Sequence, residues 1–301
     1  MTDLAPQELR VLVAVERERS FTAAAAALGM TQSAVSHAVR AGERKLGAVL
    51  FERGRGGATP TAAGTRVVAQ ARQVLRLLEL MRAEARESEP DRVAGPVRIA
   101  AFRSIAAQLL PAVLARLAER HPELSPQVRI VRELGRGTAG EVADGHADLG
   151  LATMDGTTTR PGLVAVPLFA EGYALAHPVG HPAPRTLPLV DWDENCGSYT
   201  RSWWKQQDWI PQATINVADD TVVLSLVAQG IGMAIMPRLA LLGAPDGLAV
   251  TDLGPEPPSR LVGYVSTPAL ARTAAVRAVI RELRAVPLPV GLTAARPAAG
   301  S

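Results

Sequence analysis

Cysteine is nearly missing from this 301-residue chain, which carries only Cys196. A single thiol can form neither an internal disulfide nor a multi-thiolate metal site, so no metal centre and no disulfide framework are expected. Lysine is almost as scarce: Lys45 and Lys205 stand alone, and arginine supplies the rest of the basic side. No apolar run reaches roughly 18 residues without a charge or a Pro/Gly break, so no membrane-spanning helix is predicted. The start, Met1-Thr2-Asp3-Leu4, lacks the basic and then apolar pattern of a secretory signal. These absences describe a soluble protein of a reducing cytoplasm, with no membrane partner. A hydrophobic content of 48% against 20% charged excludes wholesale disorder. The length suits two or three domains, and there are no internal repeats.

The formal net charge is +3, and its location matters more than its size. Residues 1–95 hold fourteen basic against eleven acidic side chains, while residues 96–301 are balanced at eighteen each. Within 32–57, Arg40, Arg44, Lys45, Arg53 and Arg55 face only Glu43 and Glu52. Such a patch is often a plain solvated surface. It points to a polyanion only if the local fold can present it.

Apolar spacing predicts helices over 6–18, 21–28 and 32–46, with Ser20 and Thr31 as caps and Gly29-Met30 as the break. The run Phe51–Pro60 is too rich in glycine for a helix and fits a tight hairpin. Thr61 caps a long helix over 62–87, with Val67, Val68, Ala71, Val74, Leu75, Leu78 and Met81 along one side. Ser88–Pro96 reads as a hinge. Beyond it, strands and helices alternate, with strands near 97–102, 127–134, 148–153, 163–169, 173–177, 233–236 and 260–266. Helices are predicted near 105–120, 139–144, 218–229 and 269–284. That alternation implies α/β layers with largely parallel sheets.

Two short helices around a glycine turn form a helix-turn-helix layout. In the third helix, Val35, Ala38, Val39 and Leu46 fall inward, and Gln32, Ser33, Ser36, His37 and Arg40 outward. The outward set suits a major-groove helix. Gln pairs with adenine, Arg with guanine, and Ser with bases or phosphates. Arg53 and Arg55 on the hairpin would hold the flanking backbone. On this pattern alone, a solvated helix in any small bundle fits about as well.

The residues then become more specific. Ser20-Phe21-Thr22-Ala23-Ala24-Ala25, Leu28, Thr31-Gln32-Ser33-Ala34-Val35-Ser36, Glu43, Leu46-Gly47, Leu50-Phe51-Glu52-Arg53 and Thr61-Ala62-Ala63-Gly64 stand in one register. Together they resemble the N-terminal domain of the LysR-type transcriptional regulator family over residues 1–66. Leu110-Pro111, Gly145–Leu151 and Ala228–Pro237 resemble its second half more loosely. The resemblance implies an all-α winged helix-turn-helix, a long linker helix, and an α/β effector domain of two Rossmann-like lobes, similar to periplasmic binding proteins. The expected divisions are 1–60 for DNA binding, 61–88 for the dimerising linker helix, 89–96 for the hinge and 97–287 for the effector domain. Lobe 1 would take about 97–163 and 265–287, lobe 2 about 164–264, and 288–301 would be a disordered tail.

By the same resemblance, the partners are double-stranded DNA, a small-molecule effector, a second copy in a homodimer or homotetramer, and RNA polymerase. No cofactor and no catalytic residue are expected. The rivals are an α/β enzyme with a basic appendage and a regulator with a vestigial cleft. One position departs from the family: Gly42 replaces a usual Leu, leaving a gap in the Val35–Val39–Leu46 stripe and costing about 1 kcal/mol in helix propensity.

The effector is expected between the lobes, outside the strand ends. The resemblance points to Ser104, placed as the cap of the first helix after the first strand. Arg103, Thr153, Ser198, Thr200, Arg201 and Asp219 complete the expected set. An anionic effector, held by Arg103 or Arg201, is the sharper reading; each Arg pairing with a nearby acid is the plainer one. Other motifs carry less. Gly135–Gly140 spells G-x-G-x-x-G, but too few residues follow for a crossover helix. His177 and His181 lie among prolines and glycine, as in a surface loop. Trp203, Trp204 and Trp209 are read as packing rather than a ligand cleft.

Overall fold

The computed structural model describes residues 3–54, 57–84, 93–154, 161–194 and 198–295. The chain divides into two compact units, Met1–Arg92 with Glu141–Ala147, and Val93–Gly140 with Asp148–Ser301.

The first unit begins with α1 (Pro6–Glu18), α2 (Phe21–Leu28) and α3 (Gln32–Leu46). Ser20 Oγ accepts from the Ala23 amide and Thr31 Oγ1 from the Ala34 amide, each at 3.2 Å, so both predicted caps form. Gly29 ends α2 at φ +63°, a left-handed conformation that glycine adopts without a Cβ penalty. A hairpin follows, β1 (Phe51–Gly54) against β2 (Gly57–Pro60), and then the long α4 (Ala62–Glu84). Val11, Leu12, Val15, Ala24, Val35, Val39, Leu50 and Val68 close a core between α1, α2, α3 and the start of α4. The matched motif residues explain themselves here. Glu43 Oε1 accepts from the Leu50 amide at 2.8 Å and the Phe51 amide at 3.3 Å, which fixes the start of the hairpin. Thr61 Oγ1 caps α4 by accepting from the Gly64 amide at 2.9 Å. A Cβ at Gly64 would stand 2.0 Å from the Leu50 carbonyl oxygen, so only glycine fits where α4 meets β1.

Two expectations for α3 need correction. Leu46 is 43% exposed instead of buried. Gly47, at φ +66°, ends the helix there, and Leu50 fills the core position in its place. Ser36, expected outward, is buried at 9% exposure. It lies three positions before the buried Val39, so its small side chain falls at the edge of the packed arc of the helix.

After the first 92 residues the chain runs β3 (Gly95–Ala101), α5 (Arg103–Gln108), α6 (Leu110–Arg120), β4 (Leu124–Ile130), α7 (Gly137–Ala143), whose last three residues count with the first unit, and β5 (Leu149–Met154). It continues with β6 (Val164–Pro178), β7 (Val190–Trp192), α8 (Ser198–Trp204), β8 (Ile215–Val217), α9 (Asp220–Ala228) and β9 (Ala234–Pro237). Then come α10 (Arg238–Leu241), β10 (Leu248–Asp252), β11 (Ser259–Ser266), α11 (Ala274–Ala285) and β12 (Leu292–Ala294). The helix expected over 105–120 is two, because Pro111 has no amide to donate and sits at the start of α6. The last helix begins only at Ala274, where Thr273 Oγ1 accepts from the Val276 amide.

The main sheet has the order β10-β6-β11-β5-β3-β4, with β9 and β12 also on β6. Only β3–β4 and β3–β5 are parallel within it, so the expectation of largely parallel sheets is corrected. The cause is β6, a single 15-residue strand that belongs to both lobes. Its first part pairs antiparallel with β11, and its second with β9 and β10. The tail expected to be disordered likewise supplies β12, paired with β6 at Phe169–Glu171. Leu288 and Leu292 give it apolar surface to bury against the first lobe's core. That core gathers Ile99, Ile105, Leu110, Leu149, Phe169 and Val279, while Val190, Val223, Val227 and Met236 anchor the second. Asp148, fully buried, holds β3 to β5 by accepting from the Arg98 amide at 2.9 Å and its guanidinium at 2.7 Å.

Candidate nucleic-acid interface and interlobe crevice

On α3, Gln32, Ser33, His37 and Arg40 are exposed together along one side. The free amides of its first turn and its positive dipole end lie next to Gln32 and Ser33. Ser36 is not part of that surface; its hydroxyl accepts from Gln32 Nε2 at 3.1 Å and so orients the glutamine. Arg53 lies on β1, opposite Ala58 in the hairpin register. Arg55 falls outside the described residues.

Gly42 is buried, and the gap it implied is narrow. A Cβ there would meet Leu4 Cδ2 at 3.5 Å and Leu12 Cδ1 at 4.0 Å, ordinary van der Waals distances. Leu4, from ahead of α1, and Leu12 on α1 occupy part of the space a leucine would take.

Along α4, Val68, Ala69 and Ala71 are buried, and Arg72 pairs with Glu16 of α1. Val74, Leu77 and Met81 are 44%, 41% and 63% exposed. Their spacing puts them on one helix face, where a single chain leaves them in water. Leu75 and Leu78, from the expected stripe, are half-buried, and Leu77 was missed.

In the second unit, Arg103 and Ser104 open α5. Phe102, not Ser104, is the residue ahead of the helix, and its carbonyl accepts from the Ala106 amide. Ser104 therefore lies inside the first turn, buried at 7% exposure, and does not cap it. Asp219 caps α9 by accepting from the Thr221 amide at 2.9 Å. Arg103 reaches across the crevice to Asp219 and, with Nε at 3.1 Å, to Asp220. A second bridge joins Arg132, after β4, to Asp193 at 2.9 Å and Glu194 at 3.2 Å, after β7. Arg201 pairs with Asp191 at 2.5 Å and lies 4.3 Å above the Trp204 ring. All three guanidiniums are thus matched by the chain's own carboxylates, and the plainer reading of Arg103 and Arg201 holds in this structure. An anion entering here would compete with Asp219, Asp220 and Asp191.

Thr153 donates its amide to Glu133 Oε1 at 3.1 Å, and the Thr138 amide donates to Oε2 at 3.0 Å. Burial pushes the Glu133 carboxyl above its ordinary value, against those hydrogen bonds. Burial also raises Asp220, and Asp219 and Glu194 add to it against the pull of Arg103. At Asp219 burial opposes ionisation, but the Thr221 bonds and Arg103 outweigh it and hold the carboxyl below its usual range. Thr200 is fully buried on α8. Ser198 opens that helix, and Cys196 lies outside the described residues. Sequence reasoning missed Asp220, Arg132, Glu133, Asp193 and Glu194. Only the Asp219-Asp220-Thr221 run offered a signal.

The remaining motifs resolve as packing. Trp204 is buried beside Leu175 and Ile235, and Trp203 meets Trp209 edge-on at 6.5 Å. His177 is buried at the end of β6 rather than in a surface loop, with Nδ1 2.9 Å from the Pro178 carbonyl oxygen. Gly137 opens α7, a helix of seven residues, which fits a turn and not a dinucleotide crossover. Among the described residues no helix is long and apolar enough to cross a membrane.

Comparison with known proteins agrees with this layout. The model for the bacterial regulatory helix-turn-helix protein, lysR family, matches residues 6–65, and that for the LysR substrate binding domain matches residues 90–287. A probable HTH-type transcriptional regulator, LrrA of Synechococcus elongatus, is 33% identical over 291 residues, spanning 92% of this chain and 95% of its own. The solved structure of a full-length OxyR variant from Pseudomonas aeruginosa shares the fold at a TM-score of 0.75 and 22% identity, covering 99% of this chain and all of that one (100%). Full-length CbnR, solved in complex with its target DNA, shares it at a TM-score of 0.64 and 19% identity, over 93% and 99% of the two chains. With both family models matched in order along its length, the chain belongs to the LysR family of transcriptional regulators, with a helix-turn-helix DNA-binding domain followed by an effector-binding domain.

Proposed function

We propose that this regulator reads a dyad-symmetric DNA site through α3, as a cytoplasmic homodimer or a tetramer of dimers, and performs no catalysis of its own. Gln32, Ser33, His37 and Arg40 meet the major groove, with Ser36 setting the Gln32 rotamer, and Arg53 and Arg55 hold the adjoining phosphates. The face Val74–Leu77–Met81 of α4 pairs with its copy, which joins two reading heads. The divisions expected from the sequence serve as the working domains: 1–60, 61–88, 89–96 and 97–287.

A small-molecule effector enters the crevice bounded by Arg103, Ser104, Thr153, Ser198, Thr200, Arg201 and Asp219. It acts by replacing the Arg103–Asp219 and Arg132–Asp193 bridges with its own contacts. Because it then favours one lobe geometry over another, it shifts their populations, and RNA polymerase recruitment follows from that shift.

The observation that carries this reading is the capped α2–turn–α3 unit with polar donors exposed along one side of α3. Selection of bound sequences from randomised duplexes by the full-length chain tests it. A two-fold symmetric motif with half-sites about one helical turn apart is expected; recovery of unrelated sequences would refute it.

A further inference from the structure

The second unit contains a cavity of about 660 Å³ that is separate from the residues of the interlobe crevice. It lies among the first part of β6, α5, the end of α11 and the C-terminal segment. Ile105, Leu109, Val166, Leu168, Leu283 and Val286 give it an apolar wall. Ile105 on α5 and Leu109, which ends it, are four apart and fall on one side of that turn. The volume falls in the range of small-molecule sites.

Among the described residues, Arg284 is the one charged residue that lines it. Its guanidinium is exposed and donates to the Tyr264 hydroxyl at 3.3 Å, with its carbon 5.8 Å from the centre of the Tyr264 ring. Among the described residues no carboxylate pairs with it. This sets Arg284 apart from Arg103, Arg132, Arg201 and Arg260, each matched to an acid. Tyr264 is buried at 6% exposure and anchors the guanidinium through that hydrogen bond. Having accepted from Arg284, its hydroxyl keeps its own proton to donate. An apolar chamber beside an unmatched guanidinium has the complementarity of a molecule with an apolar body and one carboxylate. Guanidinium–carboxylate pairing is strong because it is charge-assisted and bidentate.

We propose that this cavity is a second ligand site, for an apolar monocarboxylate, with Arg284 as its anion receptor. The site goes beyond the DNA-binding reading and does not depend on it. Its ligand would press on Ala165–Phe169 of β6, the strand both lobes share, and so has a direct route to lobe geometry.

Titration calorimetry of the full-length chain without DNA, using octanoate and octanamide as probes, tests the proposal. Octanoate should saturate one site per chain and bind about tenfold or more tighter than octanamide. Arg284→Gln, a surface change, should abolish that preference, and Arg284→Lys should restore part of it. Val166→Phe, which adds bulk to the apolar wall, should weaken both probes. Absence of saturation, equal affinity for acid and amide in the wild type, or a preference that survives Arg284→Gln would overturn the proposal. So would unchanged affinity in Val166→Phe.

Discussion

The two units solve different problems with different amounts of chain. The DNA-reading surface is built within one stretch, and its caps, turn and donors lie within a few residues of each other. Ser20 meets Ala23, Thr31 meets Ala34, and Gln32 meets Ser36. The interlobe crevice is closed by residues far apart in sequence, such as Arg103 with Asp219 and Arg132 with Asp193. A surface of the first kind is set by local backbone geometry and stays in place through binding. One of the second kind is held by partly exposed ion pairs, which are individually weak. On the proposed reading, the head is therefore stiff and the crevice easily opened, as a ligand-driven switch requires.

The largest effect on that contrast should come from α4. Replacing Leu77 and Met81 by Glu puts charges on the exposed face and should give monomers. DNA affinity should then fall by roughly 10²–10⁴, since two half-sites are no longer engaged by one particle. Sedimentation velocity showing an intact dimer would remove α4 from the interface.

Next in size is Gly42→Ala. The added methyl fits at van der Waals distance from Leu4 and Leu12, and alanine gains about 0.8–1.0 kcal/mol of helix propensity. Thermal and urea unfolding should show the first unit stabilised, with operator preference unchanged. A destabilised variant would mean that Leu4 cannot give way.

The smallest effect tests the weakness of the crevice. A double-mutant cycle on Arg103→Ala and Asp219→Ala should return a coupling of about 0.2–1 kcal/mol that falls with salt. Because Asp219 is held below its ordinary carboxyl value, this contribution is present at neutral pH. It is lost on acidification through the folded-state value. Cycles at pH 7 and at stepwise lower pH, until the coupling disappears, would separate this from packing, which does not titrate.

The same division governed what the sequence could disclose. The ends of α1, α2 and α3 were legible because caps, glycines and apolar spacing act over three or four residues. The register around Glu43 and Gly64 carried the family resemblance, although their jobs as hairpin clamp and close-approach glycine emerged only from the fold. Leu46 was misjudged because periodicity cannot tell that Leu50, beyond the helix end, takes the core position. Ser36 was misjudged because a small polar residue fits either side of a packed arc. In the second unit, α8, β7, β8, β10 and β12 went unread, being mostly strands of three to five residues whose pairing is non-local. The match of Arg103 to Asp219 and Asp220 was invisible for the same reason, and so was the single strand β6 crossing both lobes.

The central claim is that α3 reads bases while the hairpin holds phosphates. It is tested most directly by measuring binding of Arg40→Ala and Arg53→Ala, each on the selected site and its single-base variants, across a salt series. Arg40→Ala should lose about 1–3 kcal/mol on the selected site and cease to discriminate at one base pair per half-site. Arg53→Ala should weaken every sequence alike and reduce the salt slope by about one per lost phosphate contact. Unchanged base discrimination in Arg40→Ala, with the wild-type salt slope kept in Arg53→Ala, would contradict the account.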